Sequence, residues 1–156
     1  MLRVSKLADY GTVVMVYLAR HSQDRCNAKS IAAATHLTAP TVSKLLKILA
    51  KSELLQSTRG AQGGYVLMRP ADEISVAEII HAVEGQSGIT ECSHAHGECA
   101  LEPICQIQAN WQLINTAIEA ALDSVSLAEL AKPTLSVSRI DVSQIRGLSK
   151  NGGAKI

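Results

Sequence analysis

Phenylalanine is absent from this 156-residue chain, and aromatic residues make up only 3% of it. Leu, Ile, Val and Ala must therefore do the packing. No apolar run approaches the roughly 18 residues that a membrane-spanning helix needs, and no secretory leader pattern opens the sequence. A cytoplasmic protein with no membrane partner is the expectation. Also missing are a Cys-x-x-Cys pair, a nucleotide-binding glycine motif and a general base placed beside a thiol, which argues against an enzyme. Disorder does not describe the chain as a whole, because hydrophobic residues reach 47% against 19% charged, enough to bury a core.

The formal net charge is only +1, but it is unevenly spread. Residues 1–70 carry ten Lys/Arg against three acids, a balance of +7, whereas residues 71–133 carry ten acids against Lys132 alone, a balance of −9. Residues 134–156 return +3. A basic half beside an acidic half points to a polyanion-binding module joined to a part that should stay off the polyanion.

In the basic half, Ser5 is placed to cap a helix on which Leu7, Tyr10, Val14, Met15 and Leu18 recur at helical spacing. Asn27 is placed to cap a second, short helix through Ile31 and Ala34. His36-Leu37 reads as a turn, and Thr38 as the cap of a third helix with Pro40 in its first turn. Val42, Leu45, Leu46 and Leu49 form the apolar face of that helix, with Thr41, Ser43, Lys44, Lys47 and Lys51 mostly on its other sides. Two short helices, a tight turn and a basic polar face make a helix-turn-helix. From Leu54 to Met68, two short apolar segments flank a Gly-rich loop that carries Arg59-Gly60, the pattern of a β-hairpin. Such a hairpin after a helix-turn-helix is a wing, and its arginine suits the negative potential of a minor groove. Double-stranded DNA is the expected partner. The candidate contacts are Lys6, Lys29, Thr38, Thr41, Ser43, Lys44, Lys47, Arg59 and Gly60.

In the acidic half, Ser75 to Glu78 and Ser126 to Glu129 each have the form of a capping box. The first opens a helix that runs to Gly85; the second opens a short helix that stops before Pro133. Between them, Ile107, Trp111, Ile114, Ile118, Ala121 and Val125 recur at spacings of four and three. This is the seam of a coiled coil about five turns long, and in so small a chain it is best buried against its own copy, a homodimer, with packing on its own domain as the alternative. A loop from Gly85 to Pro103 holds Cys92 and Cys99, with Cys105 just beyond, spaced Cys-x6-Cys-x5-Cys. Cys26 stands apart and reads as a buried or incidental thiol. Clustered thiols of this spacing fit an iron–sulfur cluster better than a zinc knuckle, with redox thiols and a distorted zinc site as the alternatives. The expected fold is mainly α with a small β-hairpin wing. Residues 1–72 are the expected winged helix-turn-helix, 73–133 a cysteine loop with dimerisation helices, and 134–156 a disordered tail.

These features together resemble the IscR/NsrR family of winged-helix iron–sulfur transcription regulators. The resemblance is carried by Ser5-Lys6-Leu7-Ala8-Asp9-Tyr10, the hairpin from Leu54 to Leu67 with Arg59-Gly60 and Gly63-Gly64-Tyr65, Ile74 through Gly85, and the three cysteines. Within the family the chain is most similar to regulators of the SUF iron–sulfur assembly operon, through Glu91-Cys92-Ser93, the Cys99-to-Cys105 spacing and Asn110-Trp111. The resemblance implies that Cys92, Cys99 and Cys105 hold a [4Fe–4S] or [2Fe–2S] cluster. IscR-like members place a histidine three residues after the last cysteine, where this chain has Gln108. NsrR-like members use a carboxylate near the N-terminus of the partner chain, and Asp9 matches it; His94 and His96 are the other candidates for the fourth ligand. The implied function is a cluster-sensing repressor of iron–sulfur assembly genes. A nitric-oxide- or iron-responsive repressor of the same family, and a cluster-free thiol-redox regulator, are the alternatives.

Overall fold

The computed structural model describes residues 3–60, 63–85, 88, 90 and 105–133. Three helices come first. In α1 (Lys6–Arg20) the Ser5 hydroxyl accepts from the Ala8 N–H, and Ala8, Gly11, Val14, Met15 and Leu18 form the buried face. In α2 (Ala28–Thr35) the Asn27 side chain accepts from the Ser30 N–H, and His36 ends the helix in the left-handed region at φ 58°. In α3 (Ala39–Lys51) Val42, Leu45, Leu46 and Leu49 are buried, as the apolar spacing requires. Thr38 holds the N-cap position of α3 without capping it. Its hydroxyl instead lies 2.8 Å from that of Thr41, so proline in the first turn and tertiary packing must start this helix.

The hairpin follows as β1 (Leu55–Thr58) and β2 (Gly64–Leu67), antiparallel, with Leu55 opposite Leu67 and Thr58 opposite Gly64. Its turn depends on glycine. Gly60 sits at φ +110°, and a Cβ on Gly63 would stand 2.4 Å from the Thr58 carbonyl oxygen, a distance that no side chain tolerates. Cys26 adds an isolated bridge to β2 near the loop end: its N–H donates to the Tyr65 carbonyl at 3.2 Å, and the Tyr65 N–H returns to Cys26 at 2.9 Å. Cys26 is buried, and burial pushes its thiol pKa up, with Asp24 adding to the shift. That describes an inert packed thiol.

A 3-10 turn (Ala71–Glu73) leads to α4 (Val76–Glu84), α5 (Gln108–Asp123) and α6 (Leu127–Ala131). Both predicted capping boxes are formed, Ser75 with Glu78 and Ser126 with Glu129. One hydrophobic core spans both sides of residue 72, joining Ile74, Ile79 and Leu127 to Val14, Met15, Ile31, Leu45 and Leu49. Helix α6 closes this core, with Leu127 fully buried and its N–H donating to the Ile74 carbonyl at 2.8 Å.

α5 is different. Among its residues and its N-cap, Ile107, none is buried; Ile107 is 52% exposed, Leu113 58% and Ile114 44%. The seam is shorter than its repeat predicts, because α5 ends at Asp123 and Val125 lies beyond it. There the chain turns: the Val125 carbonyl accepts from the Val76 N–H at 2.9 Å, a pairing that a continued helix would forbid. At 16 residues the helix spans about 24 Å. Among the described residues, no helix is long and apolar enough to cross a membrane.

Candidate nucleic-acid interface and cysteine arm

Burial of the four apolar residues of α3 dictates what its opposite side shows. Lys44, Lys47 and Lys51 follow at spacings of three and four and are all exposed, so they form one ridge on the solvent face. Thr41 and Ser43 flank the ridge and are half-buried, while Thr38 is exposed at its start. Lys29 is exposed in the first turn of α2. Arg59 and Gly60 are exposed in the loop between β1 and β2. Lys6 opens α1 and lines a cleft on that helix instead of standing on the α3 ridge.

Among the described residues, none of the cations on α2, α3 or the wing has an ion-pair partner. The close acid–base contacts among the described residues are the Arg69–Glu78 ion pair at 2.6 Å and the His81 Nε2 to Glu119 contact at 2.9 Å, both outside that surface. Unpaired cations on a helix face and an adjacent hairpin are suited to phosphates, whose condensed counterions they release. Hydroxyls of Thr38 and Thr41 stand at the start of α3, the end of a recognition helix that meets base edges. Arg25 is a cation of this surface that local pattern did not single out. Its guanidinium donates to the Thr58 hydroxyl, which ties the segment before α2 to the wing. An isolated dipeptide ahead of a helix cap has no periodicity to betray it; only the charge balance of the N-terminal half registered it.

Glu78 shows how the two halves are joined. Its carboxylate accepts from the Ser75 N–H at 2.9 Å and from Arg69 at 2.6 Å, and Arg69 also donates to the Glu73 carbonyl at 3.0 Å. Partial burial alone would raise its pKa, but the Ser75 and Arg69 hydrogen bonds and the Arg69 charge outweigh that and hold it below the usual range. The strand leaving the wing is thereby clamped to the first turn of α4. The Ser75 hydroxyl also donates to Asp123 at 2.8 Å, and Arg20 Nε donates to the Ala131 carbonyl at 2.9 Å. The last turn of α5 is thus bonded to α4, and α6 to α1.

Of the expected metal ligands, Cys92 and Cys99 lie outside the described residues, as do His94 and His96. Cys105 is a free, half-buried thiol three residues ahead of α5. Among the described residues, no three His, Cys, Asp or Glu side chains converge as a metal site. Asp9 is exposed in the first turn of α1 and lines a cleft of about 550 Å³ with Arg3, Lys6, Ile80, Leu122 and Val125. Leu122 and Val125 mark the C-terminal end of α5, whereas Cys105 precedes its N-terminus. Within one chain, Asp9 therefore shares a cleft with the C-terminal end of α5, whereas Cys105 precedes the opposite end.

Comparison with known proteins agrees with this architecture. A family model described as Rrf2, an iron-dependent transcriptional regulator, matches residues 4–133. The transcriptional regulator IscR of Xenorhabdus nematophila is 33% identical over 132 residues, covering 84% of this chain and 80% of its own. NsrR of Geobacillus kaustophilus is 29% identical over 141 residues, covering 87% and 94%. The solved structure of CymR, the global cysteine regulator of B. subtilis, superposes with a TM-score of 0.66 at 30% identity, covering 84% of this chain and 97% of that one. The helices and two-stranded wing described above are the winged-helix fold of these regulators, which are not enzymes. The chain belongs to the Rrf2 family and is a DNA-binding transcriptional regulator.

Proposed function

We propose that this regulator is an iron–sulfur-cluster-sensing repressor that binds its double-stranded operator as a homodimer, with the SUF iron–sulfur assembly operon as its target. Residues 1–72 read DNA, 73–133 sense and dimerise, and Lys6, Lys29, Thr38, Thr41, Ser43, Lys44, Lys47, Arg59 and Gly60 are the DNA contacts. Cys92, Cys99 and Cys105 hold the cluster, with Asp9 of the partner subunit as fourth ligand. The observation that carries this reading is the position of Asp9 and Cys105 at opposite ends of α5. In a two-fold dimer whose α5 helices pair antiparallel, each Cys105 comes beside the C-terminal end of the partner's α5, the end where the partner's Asp9 stands. The exposed Ile107, Leu113 and Ile114 supply the apolar surface for that pairing. The donor set fits: among the described residues no side chain partners the Asp9 carboxylate, and thiolates are the usual ligands of iron–sulfur clusters.

When bound, such a cluster supplies a centre open to oxidants, nitric oxide and iron loss at the iron held by oxygen. The chain's own part is mechanical. Cys105 leads directly into α5, and α5 is tied through Asp123, Val125 and Leu127 to Ser75, Val76 and Ile74. A change in how the cysteine loop is held therefore reorients α5, and with it the spacing of the two α3 ridges. A coupling of about 1–3 kcal/mol gives a 5–150-fold change in operator affinity. The description of the matching family as iron-dependent supports the same reading.

The test is iron, acid-labile sulfide and zinc content of the full-length protein purified without oxygen. Iron and sulfide together, near one cluster per chain, are expected, and their ratio to protein separates [2Fe–2S] from [4Fe–4S]. Zinc alone, or no metal, would replace this reading with a thiol-redox switch.

A further inference from the structure

We infer that Arg25 is an additional DNA-contacting residue of this regulator, a phosphate contact held by Thr58 at the end of β1, where the wing loop begins. The inference rests on the reading that α3 and the wing meet DNA. Three observations carry it. First, the Arg25 guanidinium donates to the hydroxyl of Thr58, the residue immediately before Arg59. Second, the backbone beside it is fixed to the wing by the double hydrogen bond between Cys26 and Tyr65. That close approach depends on Gly64, where an added Cβ would stand 3.0 Å from the Cys26 carbonyl oxygen and 3.2 Å from the Arg25 carbonyl carbon. Third, Arg25 is exposed and, among the described residues, belongs to no ion pair.

A guanidinium has five N–H donors. Thr58 accepts from one nitrogen of Arg25, so donors remain for a ligand at the edge from which Arg59 projects. A wing that enters a minor groove has a sugar-phosphate strand along each side, and a cation beside the start of its loop can face one of them. Thr58 restricts the guanidinium before DNA arrives, so less side-chain freedom is lost on binding. Arg25 therefore serves as a phosphate contact that fixes the register of the wing, while Arg59 reaches farther in. Lys29 follows four residues later, exposed in the first turn of α2. Thr58 acts through Arg25 and is a positioning residue.

The experiment uses the full-length protein and a duplex that it selects from a random-sequence library, with affinity measured between 50 and 300 mM salt for wild type, Arg25→Ala, Arg25→Lys and Thr58→Val. Arg25→Ala is expected to weaken binding about 5–10-fold and to lower the salt slope by about one per protomer engaged. Arg25→Lys should recover the slope with only part of the affinity, since it keeps the charge and loses the planar fork. Thr58→Val should cost about 2–3-fold with the slope unchanged, because the cation stays and only its positioning is lost. Thermal unfolding of each variant reports the wing's integrity. An Arg25→Ala protein that loses affinity with an unchanged slope, or that binds as wild type does, would overturn the inference and leave the DNA-binding reading intact. Failure of wild type to select any duplex would overturn both.

Discussion

Replacing Gly11 by alanine sets two terms of opposite sign against each other. Alanine in a helix interior gains about 1 kcal/mol over glycine. The added Cβ, however, would stand 3.0 Å from Val83 Cγ2 and 3.6 Å from Leu45 Cδ2. Val83 must then give way by a few tenths of an ångström, and overpacking of that kind costs about 1–3 kcal/mol. The net expectation is a loss of about 1 kcal/mol, which lowers Tm by about 2–5 °C. Val83→Ala removes the opposing methyls and, at a half-buried site, costs about 1 kcal/mol alone. In the double variant the clash is gone and alanine at 11 recovers its helix gain, so the coupling between the two sites is about 2 kcal/mol. Urea denaturation of wild type, the two single variants and the double variant, all at one protein concentration, measures it. Additivity within about 0.5 kcal/mol would refute the close α1–α4 contact. The contact bears on function because α1 carries Asp9, and the first turn of α4 is bonded to the end of α5 and the turn beyond it through Ser75–Asp123 and Val76–Val125; the Ser5 N–H also donates to Glu84 at 2.7 Å, which ties α1 to α4.

Lys47→Ala and Arg59→Ala should each weaken operator binding several-fold and lower the salt slope while leaving iron content unchanged; normal binding by Lys47→Ala would mean that another face of α3 meets DNA. Ile114→Glu places a charge on the exposed seam, and analytical ultracentrifugation should show dimer dissociating to folded monomer; an unchanged dimer would move the interface elsewhere. Glu78 has a folded pKa below its ordinary 4.5, so its contribution to stability is full above that value and is lost as pH falls through the lower, folded one. Glu78→Gln should therefore be less stable than wild type at pH 7 and lose less on acidification, measured by thermal unfolding from pH 7 to pH 3; parallel curves would show that the clamp to Arg69 and Ser75 contributes nothing.

Much of the local structure was legible in the sequence because its signals are local. Ser5 and Asn27 cap as expected, Val42, Leu45, Leu46 and Leu49 are all buried, and both Ser-x-x-Glu boxes close on themselves. What escaped the pattern is long-range or competitive. The Cys26–Tyr65 rung and the Arg25–Thr58 contact join residues more than thirty positions apart, and a single residue pair leaves no alternation. Val125 continued the apolar repeat yet lies outside α5, because pairing with Val76 and burial of Leu127 outweigh one more helical turn. Thr38 had the right type and place for a cap, but its hydroxyl is engaged with Thr41. The cysteine constellation is legible only as spacing: Cys105 and Asp9 are positioned, while Cys92 and Cys99 lie outside the described residues.

In the proposed function, the state of the cysteine loop sets DNA affinity. The most direct test is the affinity of the anaerobically purified protein for its selected duplex, measured with its iron and sulfide in place and again after their removal. A difference of about 5–150-fold between the two is expected, abolished in Cys105→Ser. Equal affinities for the two forms would contradict it.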